Sequence, residues 1–211
     1  STTPQANPNG DYAQVNGINL YYEIHGAGQP LVLLHGGGGA IDMFGDLLTT
    51  LAAHRRVIGV DLQAHGRTAD VDRPMRIETM ADDIAALLAH LGIERSGVMG
   101  YSMGGAVAIQ TAIRHPAAIE RLVVVSTPHK RSGWYPENVA GMEQMNASIA
   151  EVLKQSPMYE MYARIAPRVD DWPVLWGKIG DLLRVDYDWS AEIAGLTMPT
   201  MLVFGDADGV S

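Results

Sequence analysis

Gly100-Tyr101-Ser102-Met103-Gly104 decides the fold of this chain. The pentapeptide has the form G-x-S-x-G. A strand-like run, Ser96-Gly97-Val98-Met99, leads into it, and a helix-like run, Gly105-Ala106-Val107-Ala108-Ile109-Gln110, leaves it. A serine on a sharp strand-to-helix turn has a strained backbone and a hydroxyl pushed out above the sheet. Glycines two residues to either side let neighbouring segments approach, because they carry no Cβ. The N-terminus of the following helix lies beneath the hydroxyl, where its dipole and unpaired N–H groups favour a developing negative charge. The same residues could form a glycine-rich turn without chemistry. The strand before and the helix after favour Ser102 as a nucleophile.

The flanking sequence supplies more strands. Leu31-Val32-Leu33-Leu34, Val57-Ile58-Gly59-Val60 and Leu122-Val123-Val124-Val125 are continuous apolar runs, as expected of strands buried on both faces. Tyr12–Val15 and Ile18–Ile24 flank Asn16-Gly17, a strong hairpin signal. Thr200–Phe204 reads as the last strand. Residues 41–53 read as a helix. A second follows from Ile77, Met80, Ile84, Leu87, Leu88 and Leu91, with Gly92 in the capping position. Strands alternating with helices predict an α/β fold, a mostly parallel sheet with helices on both faces.

The rhythm stops between Thr127 and Thr197. Val139, Met142, Met145, Ile149, Val152 and Leu153 suggest one amphipathic helix, and Pro157, Pro167 and Pro173 separate further short pieces. We expect a core over 11–127 and 197–211, with a helical cap over 128–196 inserted after the sixth strand. All four tryptophans lie in that cap. Most of its Trp and Met residues are expected to pack helices together. Some should face the carboxyl end of the sheet, where such sheets bind ligands.

A serine hydroxyl needs a base, usually a histidine oriented by a carboxylate, and two N–H donors for the oxyanion. The Met103 N–H, directly after the serine, is the first expected donor. The second should come from the glycines after His35, with Gly37 first and Gly38 next. These residues offer backbone reach and nothing else. Asp208, in Gly205-Asp206-Ala207-Asp208, is the expected carboxylate, and Asp206 is read as stabilising the turn. Ser126 and Thr127 leave no acid at the end of the preceding strand. Of the seven histidines, His35 reads as a brace of its loop and His65 as a turn residue. His54, His90 and His115 lie near helix ends. His129 follows a strand end and could approach the serine.

Composition narrows the partners. The chain has 211 residues and a formal charge of −9, with no basic cluster, which argues against nucleic acid or an anionic membrane surface. It has no cysteine for disulfides or thiolate ligands. No metal-ligand spacing and no nucleotide fingerprint occurs, so no metal or cofactor is expected. No apolar run reaches membrane-spanning length. Ser1 to Gly10 reads as a flexible leader without signal-peptide character, and a cytoplasmic location is expected.

Together Leu33-Leu34-His35-Gly36-Gly37-Gly38, Asp61-Leu62-Gln63-Ala64-His65-Gly66-Arg67-Thr68, the elbow through Gly105, and Gly205-Asp206-Ala207-Asp208 resemble the α/β-hydrolase superfamily, in particular its lidded esterase-like members. The resemblance implies a Ser–His–Asp hydrolase acting on a small apolar ester or lactone. Carbon–carbon bond hydrolysis, amide hydrolysis, perhydrolysis and an inactive ligand-binding module share the pattern. It also implies a histidine after the acid, on a loop beyond a further strand. A missing C-terminal segment or a second polypeptide is therefore expected to complete both sheet and site.

Overall fold

The computed structural model describes residues 7–211. The seven strands are β1 (Gly10–Val15), β2 (Ile18–His25), β3 (Pro30–Leu34), β4 (Arg56–Val60), β5 (Ser96–Tyr101), β6 (Ile119–Val125) and β7 (Thr200–Val203). They form one sheet in the order β1-β2-β4-β3-β5-β6-β7. The hairpin is antiparallel, β2 pairs antiparallel to β4, and every pairing from β4 to β7 is parallel. Asn16 and Gly17 both take positive φ (50° and 77°), the mirror-image turn that matches strand twist. The leader expected over 1–10 lies partly outside the described residues. Its described end is ordered, because the Gly10 N–H donates to the Asn7 carbonyl and the Ile24 N–H to the Asn9 carbonyl.

Helices cover both faces. α1 (Asp46–Ala52) lies against β4 and β2, while α2 (Ile77–His90) and α3 (Met103–Arg114) pack together on the other side. α2 buries Met80, Ile84, Leu87 and Leu88 at helical spacing. α3 runs over the middle of the sheet and is buried from Met103 to Ala112. The continuous helix expected over 41–53 is instead a 3-10 turn, Ile41–Phe44, and then α1. Gly45 separates them with φ 51° and ψ −126°, a conformation open to glycine and incompatible with a helix.

Between β6 and β7 lie five helices: α4 (Pro136–Gln144), α5 (Ile149–Leu153), α6 (Pro157–Ile165), α7 (Trp172–Leu183) and α8 (Ser190–Ile193). The single helix expected from Val139 to Leu153 is thus two. The chain breaks at Met145, whose carbonyl accepts from the Arg184 guanidinium and lies where a Cβ on Gly180 would stand. A tertiary contact overrides the local period there. Two cations tie this segment to the loop after β4. Lys178 Nζ donates to the carbonyls of Val71 (2.9 Å) and Arg73 (2.8 Å) and pairs with Asp70 (2.7 Å). Arg168 donates to the Asp70 carbonyl at 2.9 Å. Among the described residues no helix is long and apolar enough to cross a membrane.

At the sheet's last edge the apolar residues are open, with Met201 60 % and Leu202 62 % exposed. Trp172, by contrast, is fully buried. Its indole N–H donates to the Ala150 carbonyl at 2.8 Å, and its ring meets Tyr159, Tyr162 and Trp176 at centroid distances of 5.2, 4.9 and 5.5 Å. Trp172→Ala removes that centre and leaves a cavity, which costs about 3–5 kcal/mol. Urea denaturation followed by far-UV circular dichroism should show a correspondingly lower midpoint.

Candidate active site

β5 ends at Tyr101 and α3 begins at Met103, so Ser102 alone makes the turn. Its φ of 52° and ψ of −116° are rare for a residue with a side chain. Hydrogen bonds hold it there. The Ser102 N–H donates to the Val125 carbonyl at 2.9 Å. The Ser102 carbonyl accepts from the Ala106 N–H (3.1 Å) and from Thr127 Oγ1 (2.6 Å). The flanking glycines are required by contact. A Cβ on Gly100 would collide with the Gly104 carbonyl, and one on Gly104 with the carbonyls of Leu34 and His35. The elbow is therefore pressed directly against the end of β3.

The loop after β3 reaches the serine. A Cβ on Gly36 would lie 3.5 Å from Ser102 Cβ, and one on Gly37 would lie 3.7 Å from Met103 Sδ. Its amides are not equivalent. The Gly39 N–H donates to the Gly36 carbonyl (3.1 Å) and the Gly38 N–H to His65 Nε2 (2.9 Å). The Gly37 N–H has no partner among the described residues, and neither does the Met103 N–H at the start of α3. Of the two glycines read as possible donors, Gly38 is committed elsewhere and Gly37 is free.

Two buried histidines fix this loop. His35 Nε2 accepts from the Leu62 N–H at 3.0 Å, so its proton sits on Nδ1, which donates to the Gly36 carbonyl at 2.8 Å. His65 Nε2 accepts from Gly38, and its Nδ1 donates to the Gln63 carbonyl at 2.8 Å. Both imidazoles must be neutral, because each uses one nitrogen as an acceptor. Burial depresses both, His35 to about 3, helped by its neighbour His65, and His65 to about 4. Asp61, fully buried at the end of β4, accepts from the N–H groups of Ile41 and Arg67, each at 2.9 Å. Burial pushes its carboxyl up to about 7. His65, read as a turn residue, is thus part of the support of the loop.

Asp208 lies beside the end of β6. Its Oδ2 accepts from Ser126 Oγ and from the Gly205 N–H, both at 2.7 Å, and these bonds hold its carboxyl below the usual range. Its Oδ1 accepts nothing among the described residues. Ser126 and Thr127 look featureless in the sequence. The first anchors Asp208 and the second anchors Ser102. Their signal is position, directly after a strand that neighbours the elbow strand. Asp206 is exposed at the turn. No histidine among the described residues hydrogen-bonds to Ser102 Oγ. His115 pairs with Asp82 (2.7 Å) and His25 with Glu23 (2.8 Å). His129, whose carbonyl accepts from the Trp189 N–H, does not line the cavity over Ser102.

That cavity has a volume of about 640 Å³. Its floor is Ser102, Met103 and Gly37, and its walls include Met142, Met145, Trp134, Trp176 and Trp189 from the helical segment. Three of the four tryptophans therefore face the site, and Trp172 is buried away from it.

A family model described as the alpha/beta hydrolase fold matches residues 29–158. The chain belongs to the α/β-hydrolase fold family. It is 30 % identical to an AB hydrolase superfamily protein of Bacillus subtilis, over 92 % of this chain and 80 % of that one. It is 36 % identical to a putative carbamate hydrolase of Azorhizobium caulinodans, over 54 % of this chain and only 43 % of the relative's length. A solved thermophilic esterase from Thermogutta terrifontis shares the fold, with TM-score 0.72 and 23 % identity, over 95 % of this chain and 80 % of the other. Hydrolases are prominent among the relatives and structural neighbours of this α/β-hydrolase chain.

The histidine pair gives the chain a pH signature. In the unfolded chain each imidazole takes a proton near pH 6.5, whereas the folded pair resists to about 4 and 3. Their contribution is complete above pH 6.5 and declines as pH falls towards 4, at about 1.4 kcal/mol per pH unit per histidine. Asp61, with its folded value raised to about 7, has the opposite slope and offsets one of them across that window. The amide oxygen of glutamine can still accept from the Gly38 N–H. Urea unfolding of His65→Gln between pH 6.5 and 4.5 should therefore show an acid-side slope smaller by about one proton. An unchanged slope would contradict the neutral assignment.

Proposed function

We propose that this chain carries the nucleophile, oxyanion donors and acid of a serine hydrolase that cleaves a carboxylic ester or lactone. One observation carries the reading. Ser102 stands at positive φ on the floor of an apolar cavity, flanked by the Gly37 and Met103 amides, which have no partner among the described residues. Ser102 Oγ attacks the carbonyl carbon and passes its proton to an imidazole. The oxygen, now negative, is met by the two N–H groups, which strengthen their bonds as charge develops. Collapse breaks the bond to the alcohol oxygen, which takes the proton back. Water then repeats the sequence on the acyl-enzyme and frees Ser102.

Asp208 orients that imidazole. Its free Oδ1 is the acceptor for an Nδ1–H, while Ser126 and Gly205 hold the other oxygen. We propose that the histidine comes from a further segment of polypeptide that pairs along β7. The support is the open apolar edge at Met201–Phe204, next to an acid with one unused oxygen. The helical segment over 128–196 acts as a lid. Its methionine- and tryptophan-lined walls suit small apolar acyl or alkyl groups of varied shape.

A fluorophosphonate probe tests the nucleophile. Labelling should fall on Ser102 and vanish in Ser102→Ala. In the full-length protein, Asp208→Asn should retain the fold but lower p-nitrophenyl ester turnover by about 10⁴-fold, the scale of a disoriented imidazole. A full-length protein that binds esters without labelling or turnover would identify an inactive ligand-binding module instead.

A further inference from the structure

Trp176 Nε1 is the one buried side-chain nitrogen or oxygen without a hydrogen-bond partner among the described residues. Two other indoles nearby are satisfied. Trp172 donates to the Ala150 carbonyl at 2.8 Å, and Trp134 donates to Tyr187 Oη at 3.2 Å. A buried donor left unpaired costs free energy, and such groups are rare in folded proteins. Trp176 is 4 % exposed and lines the cavity over Ser102.

Its position gives the orphan a use. A Cβ on Gly38 would lie 2.8 Å from both Cζ2 and Cη2 of the indole. That edge of the ring therefore rests on the oxyanion loop, one residue from the free Gly37 amide. Nε1 shares the carbon Cε2 with Cζ2, so the N–H belongs to the edge that faces the loop. Ile179, one turn along α7, reaches Gly37 in the same way, its Cδ1 being 3.9 Å from a Cβ placed there. Met158 Sδ would lie 3.2 Å from the same point in front of Gly38 as the ring does. A thioether with three rotatable bonds can yield that space to a ligand.

We propose that the Trp176 indole N–H is a specificity-determining donor, which binds a second oxygen of the substrate close to the scissile carbonyl. The substrate class is then an ester or lactone with an ether, hydroxyl or oxo oxygen within a few bonds of the carbonyl, and not a purely hydrocarbon ester. This rests on the serine-hydrolase reading for the placement of the carbonyl over Ser102. Binding shifts Met158 and satisfies the orphan donor, so the group unpaired in the free protein becomes a source of selectivity in the complex. A purely hydrocarbon ligand leaves it unpaired.

The test uses two pairs of esters in the Ser102→Ala protein, each pair differing by O in place of CH₂. Benzyl methoxyacetate is set against benzyl butanoate, and 2-methoxyethyl phenylacetate against butyl phenylacetate. At least one oxygen-bearing ester should bind about fivefold more tightly than its carbon counterpart, the scale of one neutral hydrogen bond. It should also move the Trp176 indole proton downfield in ¹H–¹⁵N spectra. Trp176→Phe should abolish the preference, so that each oxygen-bearing ester and its carbon counterpart bind alike. Equal binding within both pairs, no binding by any ester, or a preference that survives Trp176→Phe overturns the proposal. Fluorophosphonate labelling of the full-length protein with Ser102 intact reads the catalytic assignment separately. A labelled Ser102 with no oxygen preference refutes the indole's role alone, and an unlabelled Ser102 refutes the hydrolase reading.

Discussion

Two uncharged imidazoles hold the glycine loop against the elbow. His35 takes the Leu62 N–H and His65 takes the Gly38 N–H, across 27 residues of sequence in each case. Each returns a proton to a nearby carbonyl. Backbone groups of the β3 loop and of the turn after β4 are thereby satisfied by side chains, and the Gly37 amide keeps no partner among the described residues. The free donor follows from the use of its neighbours. Charging either ring would set N–H against N–H in a site without solvent, and the loop would have to move.

The elbow depends on the same kind of exclusion. Ser102 can hold φ 52° because its own backbone groups and the spaces beside it are occupied: its N–H by β6, its carbonyl by α3 and Thr127, and the spaces at Gly100 and Gly104 by main chain. Strain of order 1–3 kcal/mol is tolerated when the surroundings over-determine the conformation. The site is therefore assembled mainly from backbone, and the side chains of Ser126, Thr127, His35 and His65 serve to fix that backbone.

This explains which parts were legible in the sequence. The strands at 31–34, 57–60, 96–101 and 119–125 follow from apolar runs, and the elbow from its glycines, because local sterics decide them. The break at Gly45 and the split of the expected helix at Met145 were not legible. The first depends on a single residue's positive φ, and the second on Gly180 and Arg184, more than thirty residues away. Position alone favours Gly37 over Gly38, whereas what occupies the Gly38 amide is the distant ring of His65. Trp176 could be placed only among tryptophans expected to pack. Nothing local distinguishes an indole whose N–H finds a carbonyl from one whose N–H does not.

The two free amides of Gly37 and Met103 belong to the main chain, and this has a consequence for descent with modification. A main-chain donor survives almost any replacement of side chains nearby, provided the loop and the first turn of α3 keep their path. Met103, Met142, Met145 and Trp189 can then drift in size one at a time and reshape the chamber while the reactive geometry stays constant. On the hydrolase reading proposed above, variation in what is accepted and constancy in what is done to it are carried by different atoms.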